Sequence, residues 1–308
     1  MTGTKNATLK MMRRHWQMYL LLLIPVAYLL IFKYYPMLGA QIAFKKFRAS
    51  QGIWGSEWIG LANFTKFFKS YQFSRVLTNT LAVSFYQLIA GFPFPIIFAL
   101  LLNTLTGKTY KKLVQTTTYL PYFISVVVLV GMMMQIFNPI TGVYGRIYTS
   151  ITGVPARDLM GRSEMFRHFY VWSSVWQNMG FNSVIYIAAL STVSPDLHEA
   201  AIIDGIGRFK RMLYIDFPAI VPTMTVLLIL NAGRVMSIGF EKVYLMQNDL
   251  NLRTSEVIST YVYKVGLAAG GGDFAYATAI GLFNSLVNLI LIIGVNKISS
   301  RLGETSLW

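Results

Sequence analysis

Long apolar runs alternate with shorter polar stretches along most of the chain. A helix needs about 20 mostly apolar residues to cross the hydrocarbon core of a bilayer. The runs that meet this requirement cover residues 16–38, 76–102, 113–137, 168–191, 217–238 and 275–297. The pattern therefore predicts an all-α membrane protein with six transmembrane helices.

The first run follows several basic residues, which is also how a signal peptide begins. Cleavage of such a peptide requires small residues at alternate positions, whereas Ala40 has Leu38 two positions before it and Ala43 has Gln41. We interpret the run as an uncleaved helix whose N-terminus lies in the cytoplasm, so that six crossings return the C-terminus to the cytoplasm. Basic residues are denser in the predicted inner loops but are not rarer in the outer ones, so charge alone does not settle this orientation.

Composition agrees with a membrane protein and narrows the chemistry. Of the 308 residues, 55% are hydrophobic and 13% are charged, which is about half the charged fraction usual in soluble domains. The absence of cysteine excludes disulfides, thiol catalysis and cysteine-ligated metal clusters. The formal net charge of +15 falls mostly in loops between apolar runs, so we expect anionic lipids, and not nucleic acid, as its partner.

The sequence offers no site for nucleotide hydrolysis or for a metal. It lacks the pattern Gly-x-x-x-x-Gly-Lys-Ser/Thr that cradles phosphates. Its histidines, His15, His168 and His198, are scattered and form no metal-binding or catalytic arrangement. His198 precedes Glu199, but we interpret it as a polar loop residue rather than as half of an acid–base pair. We expect a protein that is not an enzyme, that binds no cofactor or metal, and that needs an external energy source if it pumps.

A polar, helix-like loop lies between the fourth and fifth apolar runs. Ser194 suits a helix N-cap, and Pro195 suits the first helical position. Gly205 follows at a distance at which it would end that helix. A second helical stretch then leads to Pro218, which we interpret as the start of the fifth span. From these features alone, the loop is either a docking element for another protein or an amphipathic helix resting on lipid headgroups.

This loop resembles the coupling loop of ABC importer permeases, whose pattern is Glu-Ala-Ala, three residues, Gly, nine residues, Ile, one residue, Leu-Pro. The sequence matches every element except Leu, which is replaced by another apolar residue, Phe217. Residues 16–300 also resemble the branch that imports oligosaccharides or polysaccharide fragments, most of all the alginate and rhamnogalacturonan types. The segments that carry this second resemblance are FKYYPMLGAQIAF, WIGLANF, NTLAVS, YLPYFIS, GFEKVYLMQN and EVISTYVYKVGL.

The resemblance implies the type I ABC importer permease fold in a bacterial cytoplasmic membrane. We expect residues 1–72 to form the cytoplasmic N-terminus, the first transmembrane helix and the first outer loop. Residues 73–301 would form the ABC type-1 transmembrane domain with its coupling loop at 194–218, and residues 302–308 a C-terminal tail. In this family the loop docks on an ATPase subunit. Carried over by position, the coupling residues are Glu199, Ala200, Ala201, Asp204, Gly205, Ile215 and Pro218.

The resemblance also implies a set of partners. A second homologous permease completes the pore as a heterodimer, and two cytoplasmic ATP-binding subunits bind the ATP and magnesium. An extracytoplasmic solute-binding protein delivers the substrate. We expect the long outer loops, 39–74 and 139–167, to help receive that protein.

Polar side chains inside apolar runs are candidates for a sugar pathway, because they are expensive in lipid and usually face the interior of a helix bundle. The candidates are Trp172, Trp176, Asn178, Asn182, Asn231, Arg234, Asn284 and Asn288. Each also has an ordinary interpretation, as an interfacial anchor for Trp or as a helix–helix hydrogen bond for Asn. Arg234 is the most informative, because a buried cation requires a partner. That partner is Glu241, an acid of the second permease, or the carboxylate of a uronic acid substrate.

Two other classes of function remain as alternatives. An ion-driven secondary carrier would need acidic residues inside its spans, but the acids of this chain lie almost wholly in loops. A membrane enzyme acting on lipid-linked glycans would need convergent acids, a metal site or a nucleophile beside a base, and the sequence suggests none.

Overall fold

The structure, a computed structural model, describes residues 14–268 and 272–302 and is mostly helical there, with turns and loops between the helices. The exception is an antiparallel pair of two-residue strands, β1 (Lys45–Lys46) and β2 (Glu57–Trp58). The main helices are α1 (Trp16–Leu29), α2 (Ala62–Lys69), α3 (Tyr71–Gly91), α4 (Pro93–Asn103), α5 (Lys108–Tyr119), α6 (Val126–Ile136), α7 (Val143–Thr152), α8 (Ser163–Leu190), α9 (Pro195–Ile203), α10 (Phe217–Ala232), α11 (Phe240–Met246) and α12 (Phe274–Leu302). Shorter helical segments lie at Leu30–Tyr34, Tyr35–Met37, Leu38–Phe44, Ala49–Gln51, Gly52–Gly55, Leu120–Phe123, Arg208–Arg211, Met212–Asp216, Leu252–Ser255, Ile258–Tyr263 and Lys264–Ala268. The predicted all-α class is confirmed.

Four helical segments of the described chain are long and apolar enough to cross a membrane. They are Trp16–Phe44, Tyr71–Asn103, Arg208–Ala232 and Phe274–Arg301, and they correspond to the first, second, fifth and sixth predicted spans. The fifth is displaced from its predicted bounds of 217–238, because its helix begins earlier, at Arg208, and ends at Ala232. Beyond that end the chain turns, and the N–H of Met236 donates to Oδ1 of Asn288 at 2.9 Å.

The predicted third span, 113–137, is not one straight helix. The segment Lys108–Phe123 meets α6 at an angle of 96°, so this region is a broken span or a re-entrant loop. Pro121 lies at the break and has no N–H to continue the helical hydrogen bonding. Ser125 then starts α6 by accepting a hydrogen bond from the N–H of Val128 at 3.3 Å. With this pair counted as one span, five segments of the described chain qualify as candidate spans.

The predicted fourth span, 168–191, falls inside the 28-residue helix α8, which is long enough to cross a membrane but is not among the segments that qualify by composition. α8 packs against α3, α4, α5 and α10, so protein rather than lipid surrounds much of it. Its buried polar residues include Ser174, Gln177 and Ser183. A helix enclosed by its neighbours can carry such residues because they find partners there, as Gln177 does by donating to the carbonyl of Ile124 at 2.7 Å.

The first helix, α1, and the segment that follows it, residues 38–69, differ in how they pack against the rest of the chain. No residue of α1 is buried in this chain. The following segment Leu38–Phe44 and helix α2 both pack along α12. Phe67 on α2 is fully buried and lies edge-on to Phe283 of α12, with 5.6 Å between the ring centroids. Residues 38–69 are therefore packed against the last helix, α12.

The apolar core of the described chain consists of three clusters. The largest joins α3, α6, α8 and α11 in the middle of the molecule. A second surrounds Phe67 at the end that carries residues 38–69. The third packs Leu100 of α4, Leu190 of α8 and Ile220 of α10 together with Met212. This third cluster fixes the base of the polar loop between α8 and α10.

Candidate functional site

The polar loop begins with a capped helix, as the sequence predicts. Ser194 is the N-cap of α9, and its hydroxyl accepts a hydrogen bond from the N–H of Asp196 at 3.3 Å. Pro195 occupies the first helical position, where the absence of an N–H costs nothing. Asp196 also places an acid in the first turn, where it favours the positive end of the helix dipole.

The end of α9 depends on Gly205. Its backbone has φ +72°, a left-handed conformation that glycine adopts without strain. The N–H of Ile206 donates to the carbonyl of Ala201 at 2.8 Å, and the N–H of Gly205 donates to that of Ile202 at 3.0 Å. These two bonds form a Schellman motif, which satisfies carbonyls at the helix end and turns the chain.

The second half of the loop differs from the prediction. The stretch after Gly207 is not a separate helix, because Arg208–Arg211 continues through a π-helical turn, Met212–Asp216, directly into α10. Pro218 therefore lies inside a continuous span instead of marking its start. The wider π-helical turn just before Pro218 accommodates this residue, which has no N–H to donate to the helix.

The outward surface of α9 is a mixture of acid, small and apolar side chains. Glu199 and Ala200 are exposed, whereas Ala201 is buried against the bundle. Ile203 is 85% exposed, an unusual position for so large an apolar residue in a compact region. Asp204 is also exposed at the end of the helix. Small residues beside exposed apolar ones allow another surface to approach the helix backbone closely.

The inner side of α9 rests on a buried carboxylate. His198 Nε2 lies 3.3 Å from Oδ1 of Asp216, and Nδ2 of Asn103 donates to the same oxygen at 3.2 Å. The side chain of Asp216 is only 4% exposed. His198 thus contacts Asp216 rather than forming a pair with Glu199. Asp216 itself is an acid within the fifth span, near its start.

A cavity of about 640 Å³ lies in the middle of the bundle, between α3, α4, α8, α10 and the turn that follows α10. Of the predicted pathway residues, Asn182, Asn231 and Arg234 line it. Ser84, Tyr170 and Ser237 also line the cavity, although no sequence pattern pointed to them. The complete lining consists of Val83, Ser84, Gln87, Leu88, Gly91, Phe92, Pro95, Tyr170, Phe181, Asn182, Val184, Ile185, Tyr186, Ala188, Leu227, Asn231, Arg234, Val235, Ser237, Ile238 and Gly239.

Several polar groups of this cavity have no partner in the described chain. The hydroxyl of Ser84 and Oε1 of Gln87 are buried there without a hydrogen bond. Arg234 is exposed at the cavity wall, so the expectation of a buried cation that requires a partner is wrong. Within residues 14–268 and 272–302, no acidic side chain lies within ion-pair distance of Arg234, so Glu241, one of the three partners considered, does not pair with it. The cavity therefore presents a free guanidinium together with free oxygen acceptors.

The remaining predicted pathway residues do not line this cavity. Trp172 donates its indole N–H to the hydroxyl of Tyr86 at 2.8 Å, and Trp176 is exposed. Asn178 donates to the carbonyl of Ser174 at 2.8 Å. On α12, Asn288 donates to the hydroxyl of Ser237 at 3.0 Å while also accepting from Met236, and the Oδ1 of Asn284 is buried without a partner in the described chain.

Comparison with known protein families points to one group of transport proteins. The family described as "Binding-protein-dependent transport system inner membrane component" matches residues 91–304. The chain is 41% identical to Protein LplB of Bacillus subtilis (strain 168) over 297 residues, covering 96% of this chain and 92% of that relative. It is 38% identical over 304 residues to the polygalacturonan/rhamnogalacturonan transport system permease protein YteP of the same strain, covering 99% of this chain and 94% of YteP.

A solved structure gives the same result for the fold. One chain of a bacterial ABC transporter involved in the import of the acidic polysaccharide alginate superposes with a TM-score of 0.87 at 38% identity, covering 96% of this chain and 99% of that one. A second structure holds the alginate transporter in complex with a periplasmic protein that carries an alginate pentasaccharide. It matches with a TM-score of 0.87 at 37% identity, covering 97% of this chain and 99% of that one.

Proposed function

Because the chain belongs to the family of binding-protein-dependent transport system inner membrane components, we propose that it carries acidic oligosaccharides, or fragments of acidic polysaccharides, across the membrane. Membership makes it a permease subunit of an ABC importer, with the type I permease fold, and not an enzyme. It therefore acts in the inner membrane with a solute-binding protein. An ion-driven carrier is not favoured by these relationships.

The free guanidinium of Arg234 is the observation that carries the substrate class. It lines a cavity of about 640 Å³ and has no acid within ion-pair distance among the described residues. A guanidinium binds a carboxylate through two parallel hydrogen bonds, as a uronic acid would allow. Ser84 and Gln87 supply free oxygen acceptors for sugar hydroxyls in the same cavity. YteP and the alginate importer, both named for acidic polysaccharides, support this choice.

The loop around α9 is the proposed connection to the energy source. Glu199 and Ala200 would contact a cytoplasmic ATPase subunit, with Ala201 seating the helix on the bundle. Gly205 ends the helix by its left-handed backbone, while Asp204 lies exposed beside it. The remaining family positions, Ile215 and Pro218, lie in the continuous helix that joins the loop to α10.

The complete transporter would contain further subunits. A second homologous permease would complete the pore as a heterodimer, and two ATP-binding subunits would bind the ATP and magnesium. Both termini would be cytoplasmic, with membrane lipids around the spans. Residues 73–301 would form the shared transmembrane domain, preceded by residues 1–72 and followed by a tail, 302–308.

Transport by the reconstituted complex tests the substrate class. A uronic acid oligosaccharide would be compared with the same oligosaccharide after reduction of its carboxyl groups, using uptake and stimulated ATP hydrolysis as readouts. The acidic form should stimulate the wild type, and Arg234→Gln should reduce that response roughly tenfold, the effect of losing one hydrogen bond to a charged group. Arg301→Gln, which changes an exposed arginine outside the cavity, serves as the control. Equal stimulation by acidic and reduced forms would contradict the proposal.

A further inference from the structure

One carboxylate oxygen joins three helices at the base of the loop. Oδ1 of Asp216 accepts from Asn103 at 3.2 Å and lies 3.3 Å from Nε2 of His198. Asn103 is the last residue of α4, His198 belongs to α9, and Asp216 immediately precedes α10. Because the side chain of Asp216 is 4% exposed, water contributes little to its solvation and these two protein contacts matter more.

The rest of α9 is held only loosely by this chain. Of its residues, Ala201 is buried and His198 is half-buried, whereas the others are exposed. Ala201 provides an apolar contact, which has no preferred direction. His198 provides the polar contact, with its Nε2 3.3 Å from Oδ1 of Asp216. Apart from the backbone at its two ends, α9 therefore contacts the bundle through very few side chains.

Both helices that receive this contact also line the central cavity. α4 contributes Pro95 to the cavity wall, and α10 contributes Leu227 and Asn231. A shift of α9 that is transmitted through Asp216 would therefore displace two walls of the same cavity. The contact at Asp216 thus links the cytoplasmic surface to the cavity while α4 and α10 keep their helical structure.

Charged side chains surround Asp216 beneath α9. A smaller cavity of about 470 Å³ beneath α9 is lined by Asp216, His198, Glu199, Arg208 and Arg211. The two arginines place positive charge on the wall beside the carboxylate, and Glu199 places negative charge at its rim. The Nε of Arg211 is buried without a hydrogen-bond partner in the described chain, so it remains available as this region rearranges.

We propose that His198 and Asp216 are positioning residues that transmit the movement of α9 to α4 and α10 during each cycle of ATP hydrolysis. The proposal rests on the function assigned above to the loop. His198 does not itself dock the ATPase, because its ring faces inward. Its loss leaves the docking surface in place but removes the polar contact between α9 and Asp216.

A pair of closely matched substitutions tests this role. His198→Gln keeps an amide N–H that can reach the carboxylate, whereas His198→Asn carries the same amide on a side chain that is one methylene shorter. The complete transporter, with both permeases, both ATPase subunits and the binding protein, would be placed in liposomes with a uronic acid oligosaccharide. Co-purification of the ATPase, basal hydrolysis and the number of sugars imported per ATP would be measured for each variant.

His198→Gln should resemble the wild type. His198→Asn should retain the ATPase and basal hydrolysis but import roughly tenfold less sugar per ATP, as expected for one lost polar contact with a charged group. His15→Asn, at an exposed histidine, should change nothing. Wild-type import per ATP in His198→Asn, or loss of the ATPase from it, would overturn the proposal.

The function of the loop itself is tested separately by Glu199→Arg. That substitution should remove the ATPase from the purified complex. If the ATPase fails to accompany the wild type, or stays with Glu199→Arg, the proposed docking function is wrong. If Glu199→Arg behaves as expected and His198→Asn imports normally, only the transmission role of His198 fails.

Discussion

The backbone of Thr118 lies directly against Gly180. A Cβ atom built on Gly180 would be 2.2 Å from the carbonyl oxygen of Thr118 and 2.6 Å from its carbonyl carbon, well inside van der Waals contact. The neighbouring ring of Phe181 stacks on Tyr122 with 3.8 Å between centroids. This close approach lets the bent segment of α5 and α6 pack against the central helix α8.

Gly180→Ala should therefore destabilise the protein. The obstructing atoms belong to backbone, which cannot rotate away, so an overpacking cost of about 1–3 kcal/mol is expected. Gly131→Ala is the matched control, because no atom lies within 4 Å of its would-be Cβ and alanine favours a helix. Thermal unfolding in detergent should show a lower Tm for Gly180→Ala only. Equal Tm values for both variants would refute the close contact.

The conformation of Gly205 leads to a second prediction. At φ +72°, an alanine costs about 1 kcal/mol of strain, although no neighbouring atom lies within 4 Å of its Cβ. Gly205→Ala should weaken co-purification of the ATPase by about fivefold, which is the equivalent of that cost. Gly205→Asn should do less damage, since asparagine tolerates a left-handed backbone.

Gly207 supplies the control for this effect. It also has open space around it, but its backbone, at φ −68° and ψ 159°, is one that any residue adopts. Gly207→Ala should therefore bind the ATPase as the wild type does. If Gly205→Ala and Gly207→Ala retain the ATPase equally well, the end of α9 does not require a residue with a left-handed backbone.

Features that depend on near neighbours could be predicted from the sequence. The cap at Ser194, the helix start at Pro195 and the stop at Gly205 each involve hydrogen bonds within one or two turns. The long apolar spans follow equally directly, because lipid contact selects composition along the whole helix. The resemblance of the loop to a known pattern rested on the same local residues.

Features that depend on tertiary contacts could not be predicted from the sequence. The polar composition of α8 is explained by the helices around it, and the contact between His198 and Asp216 joins two sides of a turn whose course the sequence does not specify. The cavity contains Asn182 and Arg234 but excludes Trp172, although all three are polar or amphipathic residues of apolar runs. On α8, helix rotation separates Asn182 from Trp172, whereas Arg234 reaches the cavity from the turn after α10. Both features are set by packing.

A buried ion cluster at Glu256 gives a third prediction. Its carboxylate accepts from Arg75 and lies 3.8 Å from Nζ of Lys264, while its side chain is 4% exposed. Glu256→Gln should lower the free energy of unfolding by about 2 kcal/mol, below the cost of a fully buried pair because both cations reach solvent.

An exposed ion pair provides the comparison. Glu164 lies 3.5 Å from Arg253, with the two side chains 70% and 77% exposed. Glu164→Gln should change the free energy of unfolding by less than about 0.5 kcal/mol, because solvent screens such pairs. Chemical denaturation of both variants in the same detergent measures the difference. A larger loss for Glu164→Gln than for Glu256→Gln would contradict the assigned burial.

Lys242 makes the stability of the protein depend on pH. It lies on α11, outside the candidate spans, and its ammonium donates to the hydroxyl of Ser174 at 2.6 Å and to the carbonyl of Tyr170 at 3.0 Å. It forms no ion pair within the described residues. Burial lowers the pKa of Lys242 from 10.5 to about 7, because the charged form loses its hydration.

Between pH 7 and 10, the unfolded chain keeps a proton on this lysine that the folded chain has released. The free energy of unfolding contributed by Lys242 therefore rises with pH across that window, and below pH 7 its burial is at its most costly. Lys242→Met should remove this dependence, so the wild type should gain stability relative to Lys242→Met between pH 6.5 and pH 9. Lys69→Met, at an exposed lysine, should follow the wild type. Denaturation curves at the two pH values measure the free energy of unfolding of each protein. If it changes by the same amount in the wild type and in Lys242→Met, the lowered pKa of Lys242 is wrong.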